Sequence, residues 1–203
     1  MTFAKPQPGQ EPDEATIEAC RRGDRAALGL VFRRYSPAIE ALVYRLVGPR
    51  ADVEDLLQST LLAAMGAFPR FRGMASVKTW MCRIAVHVVH EHLRRPERKR
   101  RVSLDVLQGD AEPVSPASSP EARTDARRRA ERLYELLDTL SPDKRVAFVL
   151  FTFDERSIDE VAALVGASRA ATKTRIFMAR RELMALVGRD PALRDLLQTR
   201  GEP

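Results

Sequence analysis

The sequence predicts an all-α fold: two small helical domains joined by a flexible linker. Three observations carry that expectation. Apolar residues recur at spacings of three and four over residues 14–95 and again over 129–190, the stripe of amphipathic helices facing a core. No segment alternates apolar and polar residues strongly enough to argue for a sheet. Between the two periodic blocks, residues 96–128 begin with the basic run Arg98-Lys99-Arg100-Arg101 and continue rich in Pro, Ser and acidic residues, a composition that buries little surface.

The elements follow in order. Residues 1–13 read as a disordered tail. From Asp13 the pattern is helical, with Ile17 and Cys20 on one face, and Gly23-Asp24 separates this helix from a second. The second carries Leu28, Val31, Phe32, Tyr35, Ile39, Leu42, Val43 and Leu46 and stops at Gly48-Pro49. Asp52 is a candidate N-cap for a helix to about Ala67, with Glu54 and Asp55 suited to the positive end of its dipole. The loop Pro69 to Gly73 interrupts, Ser76 caps a helix from Val77 to about Arg95, and Pro96 stops it. Helical periodicity resumes near Glu121, with Leu133, Leu136, Leu137 and Leu140 apolar. Ser141-Pro142 starts a short helix, Ser157 and Glu160 form a capping box for another ending at Gly166, and Ser168 caps a longer one reaching about Val187. Residues 191–203 read as a tail, with a short helix possible over 191–199.

Composition bounds the function. The chain has 203 residues, 31% of them charged, with a net charge of +6, which favours a polyanionic partner, nucleic acid ahead of membrane. Cys20 and Cys82 lie far apart and outside any CxxC pair, which fits buried thiols in a reducing compartment. No segment approaches the roughly 20 apolar residues of a membrane span, and the start, MTFAKPQPGQEPDE, has no apolar signal core. The expectation is a cytoplasmic protein with no direct membrane insertion and no cofactor.

Four constellations stand out. Residues 158–181 form a helix, a Gly-Ala-Ser turn and a basic second helix, which together make a helix-turn-helix. Ala162, Leu164, Val165, Ile176 and Leu183 supply its core. Ser168, Arg169, Thr172 and Lys173 are placed to reach base edges, and Arg175, Arg180 and Arg181 to meet phosphates. Arg70, Phe71, Arg72, Lys78, Trp80 and Arg83 mix cations with aromatics, as unstacked bases require, although either ring can equally serve the core. Asp52, Glu54, Asp55 and Gln58 gather acidity on one helix, a solvated helix start or a docking surface for a basic partner. His87, His90 and His92 lack metal-ligand spacing, and no nucleotide-binding or nucleophile motif is present, so neither a metal nor an enzyme is expected.

Taken together, these residues resemble the extracytoplasmic-function sigma factors, small members of the bacterial sigma-70 family, over most of residues 14–187. Asp52-Val53-Glu54-Asp55-Leu56-Leu57-Gln58-Ser59-Thr60-Leu61 is similar to the family's acidic segment, which docks on core polymerase. Phe71-Arg72-Gly73 through Lys78-Thr79-Trp80-Met81-Cys82-Arg83-Ile84-Ala85 is similar to the stretch that recognises and melts the −10 element, with His87 where the family usually has Asn. Leu140-Ser141-Pro142, Ile158 to Ala162, Gly166-Ala167-Ser168 and Lys173-Thr174-Arg175 resemble the −35-binding domain, with Ala170, Ala171 and Thr172 in place of the usual Gly-Thr-Val. The resemblance implies bacterial core RNA polymerase, promoter DNA and an anti-sigma factor as partners. The competing class is an ordinary dimeric helix-turn-helix regulator, which needs no polymerase.

Overall fold

The computed structural model describes residues 11–49, 53–95 and 120–187, and all regular structure among them is helical. Asp52, the basic run Arg98 to Arg101 and the possible helix at 191–199 lie outside the described residues.

The first domain contains α1 (Glu14–Arg21), α2 (Arg25–Val47), α3 (Val53–Ala67), a 3-10 turn (Phe68–Arg70) and α4 (Val77–Arg94). Its helix starts are set by short-range chemistry. Asp13 accepts from the Thr16 N–H, Asp24 from the Ala26 and Ala27 N–H groups, and Ser76 from the Thr79 N–H. α2 runs through Pro37, which lies on its exposed side, while Ser36 Oγ donates to the Phe32 carbonyl at 2.7 Å. α2, α3 and α4 pack against one another and α1 rests on α2. Ile39, Leu42 and Leu46 of α2 share a fully buried core with Met81, Ala85 and Val89 of α4, to which α3 adds Leu56. Each such large apolar side chain contributes about 1.5–3 kcal/mol by leaving water.

Part of the expected tail is ordered. Beyond the Asp13 cap, the Glu11 carboxylate accepts from the Val77 N–H at 3.1 Å, satisfying an otherwise orphaned donor in the first turn of α4.

The second domain contains α5 (Pro120–Leu137), α6 (Pro142–Thr152), α7 (Ile158–Val165) and α8 (Arg169–Val187). α5 begins at Pro120, inside the stretch 96–128 expected as linker. Ser141 holds the N-cap position of α6 and Pro142 the first helical one, but the Ser141 side chain makes no capping bond. The capping box of α7 forms in full, with Ser157 Oγ accepting from the Glu160 N–H and Glu160 accepting from the Ser157 N–H. α6 and α8 pack closely, with Phe148, Leu150, Ile176 and Leu183 fully buried.

The two domains touch. α6 rests on both α2 and α4, and α7 rests on α4, so the buried residues of both form one continuous core.

Candidate nucleic-acid interface

The loop between α3 and α4 is built on an aromatic cluster. Phe68 is fully buried, with ring centroids 5.5 Å from Phe71 and 5.1 Å from Trp80 in an edge-on arrangement. Phe71 and Trp80 lie 5.1 Å apart. Arg21 of α1 donates from Nε to the Phe71 carbonyl at 3.0 Å, so the loop is fixed from both its ring and its backbone. This corrects one expectation: Phe71 is only 6% exposed, turned inward to its two aromatic neighbours and unable to offer a face to an unstacked base as it stands. Trp80 is half-buried in the same cluster. The cluster instead presents what surrounds it. Arg70 and Arg72 are exposed on either side of Phe71, and Arg83 and His87 are exposed one helical turn apart on α4. Lys78 is half-buried towards Cys82. Met74, which composition alone did not single out, is 90% exposed in the same loop.

The helix-turn-helix is formed by α7, the turn at Gly166 and α8. Gly166 closes α7 in the left-handed region at φ +65°, and its neighbour's N–H returns to the Ala162 carbonyl at 3.1 Å. Ser168 Oγ accepts from the Ala171 N–H at 3.2 Å and starts α8. Arg169 is exposed and paired to both Asp159 oxygens, at 2.9 and 3.1 Å, across the turn. Lys173 is exposed, while Arg175 and Arg180 are half-buried. Thr172 departs from the expectation that it reaches a base edge. It is fully buried, on the stripe Thr172, Ile176, Ala179, Leu183 and Val187 that packs inward, and its hydroxyl has no hydrogen-bond partner. Ser168, Arg169 and Lys173 therefore remain as the outward groups of the helix start.

A third surface lies on α3. Glu54, Asp55 and Gln58 are exposed in its first turns, where negative charge complements the helix dipole. The same side continues as Leu62, 57% exposed, and Met65, 45% exposed. The spacing 55, 58, 62, 65 is a helical stripe legible in the sequence once the core face has been assigned to Leu56, Thr60 and Ala64. An acidic helix start running into an apolar strip is suited to a basic and apolar partner surface.

The histidines do not converge. His87 is exposed, while His90 Nδ1 and Nε2 lie 3.7 Å from Glu91 and 3.5 Å from Asp143. Among the described residues no cluster of metal-binding side chains occurs, and no helix is long and apolar enough to cross a membrane. Cys20 and Cys82 are free thiols, both pushed up in pKa by burial.

Comparison with known proteins identifies both domains. Residues 31–100 match Sigma-70 region 2 and residues 130–183 match Sigma-70, region 4. The ECF RNA polymerase sigma-E factor of Salmonella typhimurium is 31% identical over 177 residues, covering 84% of this chain and 92% of the relative. The RNA polymerase sigma-H factor of Pseudomonas aeruginosa is 29% identical over 195 residues, covering 93% of this chain and 97% of the relative. In fold the chain is similar to CnrH, solved in complex with the cytosolic domain of CnrY, with a TM-score of 0.56 at 24% identity, covering 88% of this chain and 98% of that one. It is likewise similar to the sigma factor RpoE of Bartonella quintana, solved in complex with the anti-sigma factor NepR, with a TM-score of 0.55 at 24% identity, covering 78% of this chain and 95% of that one. The two Sigma-70 regions in this order, with relatives matched along nearly their whole length, place the chain among the extracytoplasmic-function sigma factors of the sigma-70 family.

Proposed function

We propose that this sigma factor divides promoter recognition among three surfaces. The α3 face of Glu54, Asp55, Gln58, Leu62 and Met65 docks on core RNA polymerase, its carboxylates meeting a basic patch and its apolar strip losing water on contact. Asp52 precedes this face in sequence and belongs to the same proposal. Arg70, Arg72, Arg83 and His87, supported by Lys78 and Trp80, hold the nontemplate strand at the −10 element. Cations supply phosphate contacts there, while the exposed Met74 offers an apolar surface to a base that has left the stack at a cost of a few kcal/mol. Phe71 acts from beneath, by fixing the loop. The α8 start enters the major groove at −35, with Ser168, Arg169 and Lys173 near base edges and Arg175 and Arg180 near phosphates. Thr172 belongs to the domain's core in this reading.

The observation that carries the proposal is the joint presence, on one basic chain, of two outward cationic surfaces and one acidic-apolar helix face. The chemistry of transcription then belongs to the polymerase, and this protein acts as an initiation factor. The anti-sigma complex of the Bartonella quintana relative supports a partner of the same kind here.

Reconstituted transcription tests the proposal. Core polymerase supplemented with this protein should give discrete run-off transcripts from a small set of genomic fragments. A transcript pattern identical to that of core polymerase alone would remove it.

A further inference from the structure

Two of the groups proposed to meet the −10 element, Arg72 and Met74, ride on a segment that does little to hold itself. Among the described residues, Arg72, Gly73, Met74 and Ala75 make no hydrogen bond or ion pair with the rest of the domain. Gly73 takes the left-handed region at φ +70° with open space around it, and Met74 is 90% exposed. The course of such a segment is set from its two ends.

Both ends are held by the same piece of chain, residues 11–21. At the first end, Arg21 Nε donates to the Phe71 carbonyl at 3.0 Å, fifty positions away in sequence. At the second, the Glu11 carboxylate accepts from the Val77 N–H at 3.1 Å, sixty-six positions away. Each anchor is itself aimed. Arg21 Nη1 donates to Glu14 at 2.9 Å and to Glu18 at 3.0 Å, so carboxylates of its own helix orient the planar guanidinium fork towards the carbonyl. The Glu11 carboxylate also accepts from the Tyr35 hydroxyl of α2. Tyr35 is 6% exposed, and burial, followed by the Glu11 charge, pushes its phenol up to about 12, so it stays a donor at neutral pH. Between the anchors, α1 rests on α2 and on the 3-10 turn, with Cys20 fully buried beside Arg21. The two anchors therefore sit on one firm spacer.

The side chains at both ends of the segment are already placed by packing. The Phe71 ring lies against Phe68 and Trp80, and Val77 is 1% exposed. What Arg21 and Glu11 add is control of the backbone: one fixes the peptide leaving Phe71, the other the peptide entering Val77. A segment fixed in this way meets an unstacked strand without first having to be ordered, whereas a loose one loses conformational freedom on binding.

We propose that Glu11 and Arg21 are positioning residues for capture of the nontemplate strand, forming a two-point brace that holds the segment from Phe71 to Val77 in its strand-binding course. The proposal rests on the sigma reading and gives residues 11–21, which lie outside the three recognition surfaces, a part in −10 opening.

The test uses holoenzyme assembled from purified core polymerase and the full chain, on a duplex fragment from which the unaltered protein gives a run-off transcript. Two quantities are read: affinity for the closed duplex, by mobility shift in the cold, and strand separation, by permanganate reactivity of the −10 thymines at saturating holoenzyme. Arg21→Met keeps the reach of the side chain and removes its donors. It should lower strand separation about five- to tenfold and leave duplex affinity unchanged, a modest value for a hydrogen bond from a charged group because the Arg21 side chain is 25% exposed. Glu11→Ala should act in the same way, and Glu11→Gln, which retains an acceptor oxygen for the Val77 N–H, should restore strand separation. Undiminished strand separation in Arg21→Met and Glu11→Ala would overturn the brace, as would an equal loss of both quantities, which is the mark of general destabilisation. If Arg21→Met unfolds in urea too early to be assayed, the Glu11 pair decides: a difference in strand separation between alanine and glutamine supports the brace, and no difference overturns it. Absence of any transcript with the folded, unaltered protein would overturn the sigma reading and the brace's role with it, whereas normal transcription by every variant would overturn the brace alone.

Discussion

Replacing Phe68 with Ala tests whether the −10 surface depends on the aromatic cluster beneath it. Phe68 is 0% exposed and contacts both Phe71 and Trp80 at centroid distances of 5.5 and 5.1 Å. Emptying a buried phenylalanine site costs about 3–5 kcal/mol through lost transfer energy and the cavity left behind. Each aromatic pair adds roughly 0.5–1.5 kcal/mol beyond the area term, which places Phe68→Ala in the upper part of that range, about 4–5 kcal/mol. Phe68→Leu keeps most of the volume and loses mainly the ring pairing, so it should cost only about 1–2 kcal/mol. Trp80 is the chain's only tryptophan and lies within the cluster, so urea unfolding followed by its fluorescence reports the perturbed site directly. Phe68→Ala should also reduce −10 opening more than it reduces −35 binding, because Arg70 and Arg72 ride on the loop that Phe68 supports. A stability loss below about 1 kcal/mol for Phe68→Ala would show that the cluster does not bear on the domain's stability and refute this reasoning.

Two further substitutions separate turn geometry from DNA contact in the second domain. Gly166→Ala forces a Cβ into the left-handed region at φ +65° with open space around it, so the cost is conformational alone and should be about 1–2 kcal/mol in chemical denaturation. Lys173→Ala leaves the fold intact, since the side chain is exposed, and should weaken −35 binding while reducing the salt dependence by about one counterion, measured as the slope of log affinity against log salt concentration. Unchanged affinity and slope would take Lys173 off the DNA surface.

The parts of this fold that were legible in the sequence are those governed by neighbours three or four residues away. Ser76, Ser157 and Ser168 act as caps because their oxygens reach N–H groups within the next turn, and Gly166 ends α7 because its backbone conformation favours glycine. The helix-turn-helix core of Ala162, Leu164, Ile176 and Leu183 follows from periodicity in the same way. Composition, by contrast, does not say which way a ring faces. Phe71 and Arg72 are adjacent, yet packing against Phe68 and Trp80 turns one inward while the other stays in water. The place of Thr172 near the helix start argues for the DNA surface, but its spacing of four from Ile176 sets it on the buried stripe. The domain contact was not legible at all. Arg145 reaches carbonyls nearly a hundred positions away, and a buried arginine in α6 carries no local mark distinguishing it from a solvated one. The reach of Arg21 to the Phe71 carbonyl is of the same kind.

The most direct test of the central claim is binding to purified bacterial core RNA polymerase at about 0.15 M salt, where charge attraction is screened beyond ~8 Å. The sigma reading predicts a tight one-to-one complex that Asp55→Lys weakens at least tenfold, with helical content unchanged because Asp55 is exposed. Absence of binding by the folded, unaltered protein, or binding indifferent to Asp55 charge reversal, would contradict in turn the assignment as a sigma factor or the placement of its polymerase-docking face on α3.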